Sequence, residues 1–515
     1  MASESHDEGS GYGLKLLFPI VLLYSAYLVF GRLHEYWRLR HFKGPATTGI
    51  SWLWHSRAVL SGKAHEYYGD VTEKYGPIAR IAPTHLITSD AEFWTRINAV
   101  RSPYRRAEFF YSTARFEPGK DNVFTECDND RHDARRKKMA AGYSGKENLA
   151  LEQSIDTHVK ELVDLVHKYA ATPTSTKTST PMDLSKKIPY FTLDVISHVG
   201  LGQPFGNLLA DKDQNDYLKS CEEGLHIANT AWGLGISWLP GAPIIGPLIS
   251  PSEKDSSGFG KMMAEARKII DDRKSKSTEG KSDMLASFIR NGVSGDDLFQ
   301  EAFEVILAGS DTTSAALRIL LLYIMTSPRV YAKLQSEIDS VASSHAIIRD
   351  ADVRQLPYLN AVVREGLRVH PPVVNIFSRV TPDEGDNVTI DGKEHYIPGG
   401  TFIGYSAWSM HRNNRSLYGQ DSEVFRPERW FVDHDNVEEK ERYAKMIRTS
   451  DLIFGHGRWV CLGKNIAMLE IYKCIFELFK NFDFAPTNPT EPWKTNSTQG
   501  LFKITDMMVN VTKRS

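Results

Sequence analysis

The sequence predicts a mainly α-helical catalytic domain with a smaller β region, preceded by an N-terminal transmembrane helix. Three observations carry that expectation. An apolar run, "LKLLFPIVLLYSAYLVF", lies at Leu14 to Phe30; helical periodicity dominates the rest; and strand signals are confined to a few short stretches. A chain of 515 residues with 41% hydrophobic and 24% charged content and a net charge of -2 has the profile of a folded protein with a large core. It gives no support for disorder or for a nucleic-acid partner. No flexible joint follows residue 60 and no solenoid-length repeat is present, so residues 50–515 read as one domain.

The apolar run, extended to Gly13 and Leu33, gives about 20 residues, enough at ~1.5 Å per residue to cross a bilayer of roughly 27 to 30 Å. Glu4, Asp7 and Glu8 precede it and Arg32, Arg38, Arg40 and Lys43 follow, which orients the domain towards the cytosol. The expected organisation is a short lumenal N-terminus (1–12), a signal anchor (13–33), a hinge (34–49) around "KGPATTG", and the catalytic domain (50–515). That describes a single-pass protein of the endoplasmic reticulum membrane. A cleaved signal peptide would need a basic leading region and a small-residue cleavage site, and neither is present.

Strands are expected at "PIARIAP" (Pro77 to Pro83) and within Asn387 to Ile403, where Asp391-Gly392 signals a hairpin turn. Ala170 to Pro181 and Asp271 to Asp283 read as solvated loops. Ala231 to Pro251 mixes Gly and Pro with large apolar residues, which fits either a buried loop or a channel lip dipping into a membrane surface. The longest helix is expected over Asp296 to Thr326, about 45 Å long. Ser294 or Asp296 can cap it, Glu301 and Glu304 lie towards its positive dipole end, and Ser327-Pro328 stops it.

The four cysteines, Cys127, Cys221, Cys461 and Cys474, form no CxxC pair and no zinc-spaced cluster, so neither a disulfide framework nor a structural zinc is supported. Four sequons, at Asn387, Asn414, Asn496 and Asn510, carry little weight in a domain facing the cytosol. Cys461 is different from the other cysteines. In "FGHGRWVCLG" it precedes a helix whose exposed amides and dipole favour a thiolate, and Gly455, Gly457 and Gly463 let the backbone approach a flat ligand. That environment suits a thiolate ligand to iron; the plainer alternative is a buried, inert cysteine.

The pattern Phe454-x-x-Gly457-x-x-x-Cys461-x-Gly463 resembles the signature of the cytochrome P-450 family. The resemblance implies the cytochrome P-450 fold and haem b with Cys461 as axial iron ligand, the thiolate helping to split the O-O bond. "AGSDTT" (Ala308 to Thr313) matches the family's oxygen-side motif, with Ala308 and Gly309 against the haem and a locally widened helical turn. Thr312 would hydrogen-bond the distal oxygen, and Asp311 would relay protons. His132 and Arg136 match a propionate-binding pair, and Arg379 in "NIFSRV" a further propionate contact. Trp459 stands where the family usually has a basic residue; the cation is displaced to Arg458, to which the propionate role transfers only weakly. Glu365, Arg368 and Arg429 match the family's structural triad.

By the same resemblance the substrate pocket involves Phe109, Phe110, Phe303, Leu307, Val374, Ile376, Leu501 and Phe502. Arg135, Lys137 and Lys138, with Lys464 and Lys473, are either solvated surface or a basic patch for an acidic electron donor. The implied partners are NADPH-cytochrome P-450 reductase, with cytochrome b5 as a second donor, membrane lipid and a lipophilic small molecule. The motif style is most like fungal microsomal members of secondary metabolism, including the pisatin demethylase-like group. The expected reaction inserts one oxygen atom from O₂ into a terpenoid, polyketide or indole-type metabolite, with electrons from NADPH. Two rivals are an O₂-independent haem-thiolate isomerase or dehydratase, and a non-catalytic haem- or sterol-binding membrane protein.

Overall fold

The structure, a computed structural model, describes residues 9–172, 180–242, 244–275, 280–341, 345–390 and 392–514. The helices that position the site are α1 (Gly9–Arg38), α2 (Asn129–Tyr143), α3 (Leu184–Leu201), α4 (Tyr217–Gly233), α5 (Gly258–Ser275), α6 (Gly295–Met325), α7 (Pro357–Val369) and α8 (Lys464–Asn481). A five-stranded sheet is built from β1 (Ile78–Ala82), β2 (His85–Thr88), β3 (Arg105–Arg106), β4 (Arg379–Val380) and β5 (Phe402–Tyr405), in the order β1-β2-β5-β4-β3. Only the β2–β5 pair is parallel; β3 and β4 pair antiparallel with Arg106 opposite Arg379.

Helix α6 is the axis of the molecule. By length and composition it could cross a membrane, but most of it is buried, so its apolar character belongs to a core helix. It packs along α3, which is buried over nearly its whole length. The two approach closely because α6 carries a glycine there: a Cβ on Gly309 would lie 2.5 Å from Ile196 Cγ1. Asp296 and Asp297 lie in the first turn, facing the helix's positive end. Ser294 occupies the N-cap position in extended geometry but makes no side-chain capping bond, contrary to expectation.

Several expected boundaries shift. Helix α1 continues past Leu33 to Arg38, and the expected hinge is built into the fold: Leu39 and Phe42 are buried and Lys43 O accepts from Arg80 N. A Cβ on Gly44 would meet Arg80 O at 2.0 Å, so glycine serves close packing there. The expected loop from Asp271 begins as the last turn of α5. The stretch Ala231 to Pro251 is no buried loop: Trp232 is buried, whereas Trp238, Ile244 and Leu248 are 64%, 83% and 80% exposed. The expected hairpin forms between Asp386–Ile390 and Lys393–Ile397, with Asp391 outside the described residues. So do most of the expected lumenal segment, up to residue 8, and 173–179 of the expected polar loop.

Candidate active site

Between α6 and the loop before α8 lies a cavity of about 1480 Å³, into which Cys461 opens. The loop's shape requires glycine. Gly455 and Gly457 have φ of 76° and 55°, and a Cβ on Gly457 would lie 2.3 Å from Asn98 O. Cys461 N donates to Phe454 O at 2.7 Å, and Gly463 caps α8 just beyond. The amides of Gly463 and Lys464, with Arg136, pull the thiol towards ionisation, but burial outweighs them and its pKa is raised. A coordinated metal ion would supply the positive charge that holds Cys461 as a thiolate.

The wall beside Cys461 is built to take an anion. Arg106 and Arg379, opposite each other across β3 and β4, are both buried, and like charges so placed repel. Among the described residues no carboxylate bonds either one. Arg379 donates to Asn98 Oδ1 (2.9 Å) and to the Tyr111 hydroxyl, and Arg106 donates to the carbonyls of Val123 and Glu126. Among the described residues Arg106 Nε has no partner, and burial lowers the pKa of this guanidinium to about 10. Trp459 packs against both cations, 4.3 Å and 5.2 Å from ring to guanidinium carbon. Both arginines, His132 and Arg136 line the cavity. His132, its Nδ1 3.0 Å from Asp133, is held neutral, with its pKa lowered to about 3 by burial and then by Arg106. A planar, doubly anionic, metal-bearing group fits these donors.

Arg458 is not among them. Its guanidinium donates to Asp133 Oδ2 and Val100 O, and it does not line the cavity. Arg106 was missed by sequence reasoning because its role depends on a two-residue strand whose partner lies far along the chain. The doubled arginine of "SPYRRAEFF" was the available signal. The expected basic patch also loses members. Lys473 is fully buried between Asp156 (2.6 Å) and Glu152 (2.7 Å), and Arg135 is tied to Asp297 and Glu301.

Across the cavity stand Ala308, Gly309, Asp311 and Thr312. Helix α6 stays α-helical throughout, without the expected widened turn; Thr312 Oγ1 donates to Ala308 O at 2.8 Å within that helix. Asp311 accepts from the thiol of Cys221 on α4 at 3.0 Å, and burial raises its pKa. Of the expected pocket residues, Phe110, Leu307 and Leu501 line the cavity, while Phe109, Phe303, Val374, Ile376 and Phe502 do not. The reason is parity. Val373, Asn375 and Phe377 face inwards where Val374 and Ile376 were expected, and Phe502, next to Leu501 on its strand, packs on His370 and His65 instead. Phe303 stacks on Phe299 behind the wall, and Phe109 packs on Trp52 and His85.

On α7, Glu365 accepts from Arg368 (2.8 and 2.9 Å), Arg429 (3.1 Å) and Trp430 Nε1 (3.0 Å). The three charged side chains are at most 1% exposed.

Against known proteins, the family profile described as Cytochrome P450 matches residues 44–510. The chain is 35% identical over 509 residues to "Cytochrome P450 monooxygenase ABA1" of Pyricularia oryzae, covering 97% of each. It is 34% identical over 483 residues to "Cytochrome P450 monooxygenase aba1" of Botryotinia fuckeliana, covering 92% of each. It is also 28% identical over 468 residues to "Pisatin demethylase" of Fusarium vanettenii, covering 88% of this chain and 85% of that one. On that coverage the chain belongs to the cytochrome P450 family of oxygenase enzymes, which carry thiolate-ligated haem and use O₂ with electrons from NADPH.

Proposed function

We propose that this protein is a monooxygenase of fungal secondary metabolism that inserts one oxygen atom into a lipophilic metabolite, with Cys461 as the iron ligand. The observation that supports this reading is that Cys461 lines one cavity with Ala308, Gly309, Asp311 and Thr312 and with the buried Arg106 and Arg379, which have no carboxylate partner among the described residues. The bound haem would supply oxygen activation. Arg106, Arg136 and Arg379 would neutralise its propionates, with neutral His132 as a hydrogen-bond donor. Thr312 would present its hydroxyl to the oxygen side and Asp311, held by Cys221, would store and pass a proton. Phe110, Leu307 and Leu501 would present an apolar wall to substrate. The presence of both Asp311 and Thr312 on the cavity wall favours oxygen cleavage over an O₂-independent isomerisation.

Electrons would come from NADPH through a separate reductase, with cytochrome b5 as a second donor. The exposed apolar lip at Trp238, Ile244 and Leu248, together with α1, supports attachment to the endoplasmic reticulum membrane with the catalytic domain in the cytosol. The test is the spectrum of the reduced carbon monoxide complex, which is expected to be of the thiolate type in wild type and to lose that character, along with oxygenation, in Cys461→Ser. A Cys461→Ser protein with an unchanged spectrum would overturn the assignment. Optical titration with terpenoid, polyketide and indole panels would then identify the scaffold by its low-to-high-spin shift.

A further inference from the structure

Helix α6 presents one more polar group to the cavity, and neither haem nor oxygen chemistry uses it. Glu304 lines the cavity one helical turn before Ala308 and two before Thr312, on the same side of the helix. Asn122 Nδ2 donates to its Oε2 at 3.2 Å, and among the described residues no group bonds Oε1. Its acidic neighbour Glu301 is already engaged by Val123 N and Arg135. Arg106, the cation that acts on Glu304 electrostatically, makes no hydrogen bond to it and donates instead to backbone carbonyls. The same cavity is lined by Phe110, Phe116, Val305, Leu307 and Leu501, while Asn122, Glu301, Arg106, Tyr143 and Tyr217 are polar neighbours of Glu304.

We propose that Glu304 is a substrate-anchoring residue whose carboxyl group hydrogen-bonds a hydroxyl or carbonyl oxygen borne by the lipophilic substrate, roughly 6 to 12 Å from the carbon that is oxidised. The range is the rise of one to two helical turns from Glu304 to Ala308 and Thr312. Burial, and then Glu301, raise the pKa of Glu304 to about 8. At neutral pH the group is therefore mainly a neutral acid, which offers one donor and one acceptor and suits an uncharged oxygen function. A purely hydrocarbon ligand filling the cavity would displace water from Oε1 and leave a buried polar atom unpaired, which disfavours it. Asp311 is already engaged by Cys221, while Glu223 and Asp255 are exposed. Glu470 also lines the cavity, buried on α8 with its Oε2 unpaired among the described residues, so Glu304 is the carboxyl group of α6, the oxygen-side helix, whose second oxygen is open to a ligand.

This inference rests on the haem-bearing monooxygenase reading of the same cavity, so the test uses probes that bind any haem of this kind. N-alkylimidazoles from ethyl to decyl would be titrated against their ω-hydroxy counterparts, the imidazole nitrogen fixing one end at the iron. At one or two chain lengths the hydroxyl compound is expected to bind wild type roughly 3- to 10-fold more tightly than its hydrocarbon twin. That advantage should vanish in Glu304→Leu and persist in Glu304→Gln, which keeps a donor and an acceptor. Loss of the Asn122 contact would weaken both compounds alike, so the ratio isolates the anchor. No advantage at any length, or one untouched by Glu304→Leu, would overturn the anchor while an intact thiolate-type carbon monoxide spectrum kept the monooxygenase reading. Failure of every imidazole to perturb the haem spectrum would overturn both.

Discussion

Arg106 holds a positive charge where burial penalises one, with a second guanidinium opposite and an indole ring between charge and protein. Such a site is stabilised when an anion arrives. Replacing Arg106 by Leu is expected to speed haem loss about 10- to 100-fold, the value of one or two hydrogen bonds to a charged group. Arg458→Ala should change it less than about twofold, because Arg458 already points to Asp133 and Val100. Haem transfer to apomyoglobin would measure both, and equal effects would remove the distinction between the two cations. His411 gives a pH counterpart. It is fully buried, with neither ring nitrogen bonded among the described residues, and burial, then Arg368, lower its pKa to about 3. The unfolded chain takes up this proton near pH 6.5 and the folded chain refuses it until about 3, so the contribution to stability present above 6.5 is lost as pH falls. The urea midpoint should drop less between pH 7 and pH 5 in His411→Phe than in wild type, and an identical drop would count against this account.

Among the elements, α7 shows why a local ion pair cannot be valued locally. Glu365 and Arg368 lie three apart on the helix, a spacing common on exposed faces, but here both are buried and Glu365 also takes bonds from Arg429, Trp430 and the Arg426 amide. Glu365→Ala would strand buried Arg368 and leave Arg429 with Asp421 as its carboxylate partner, at a cost of about 3 to 5 kcal/mol, seen as a lower denaturant midpoint and poor haem loading. A cost below about 1 kcal/mol would show that these charges are not coupled. Helix α6 teaches a related lesson: the glycine of "AGSDTT" lies at the oxygen side, yet its missing Cβ also lets α3 come close, through Ile196.

At the scale of the whole molecule, the apolar lip between α4 and α5 and the N-terminal helix are the large exposed hydrophobic features. The proposed membrane attachment makes a measurable prediction for this lip. In vesicles carrying brominated lipid, tryptophan fluorescence of the full chain should be quenched, and Trp238→Phe should remove a measurable part of that quenching. Unchanged quenching in the variant would place the lip away from the membrane.

The sequence by itself determined the family, the iron-ligand candidate and the Glu365–Arg368 pair, because each rests on residues close in the chain with local geometry demanded by glycine, helix termini or i, i+3 spacing, whereas Arg429 joins that pair from 64 residues beyond Glu365. Tertiary structure alone decided the rest. Arg106 lines the cavity and Arg458 does not because two short strands from distant segments face each other, and which residues of 373–377 and 501–502 face the cavity is set by tertiary packing, which no single segment contains. Lys473, a plausible surface cation in sequence, became a buried one when α8 packed beside Asp156 and Glu152. Burial is a property of the assembled chain, and it decided which charges were left to bind a ligand.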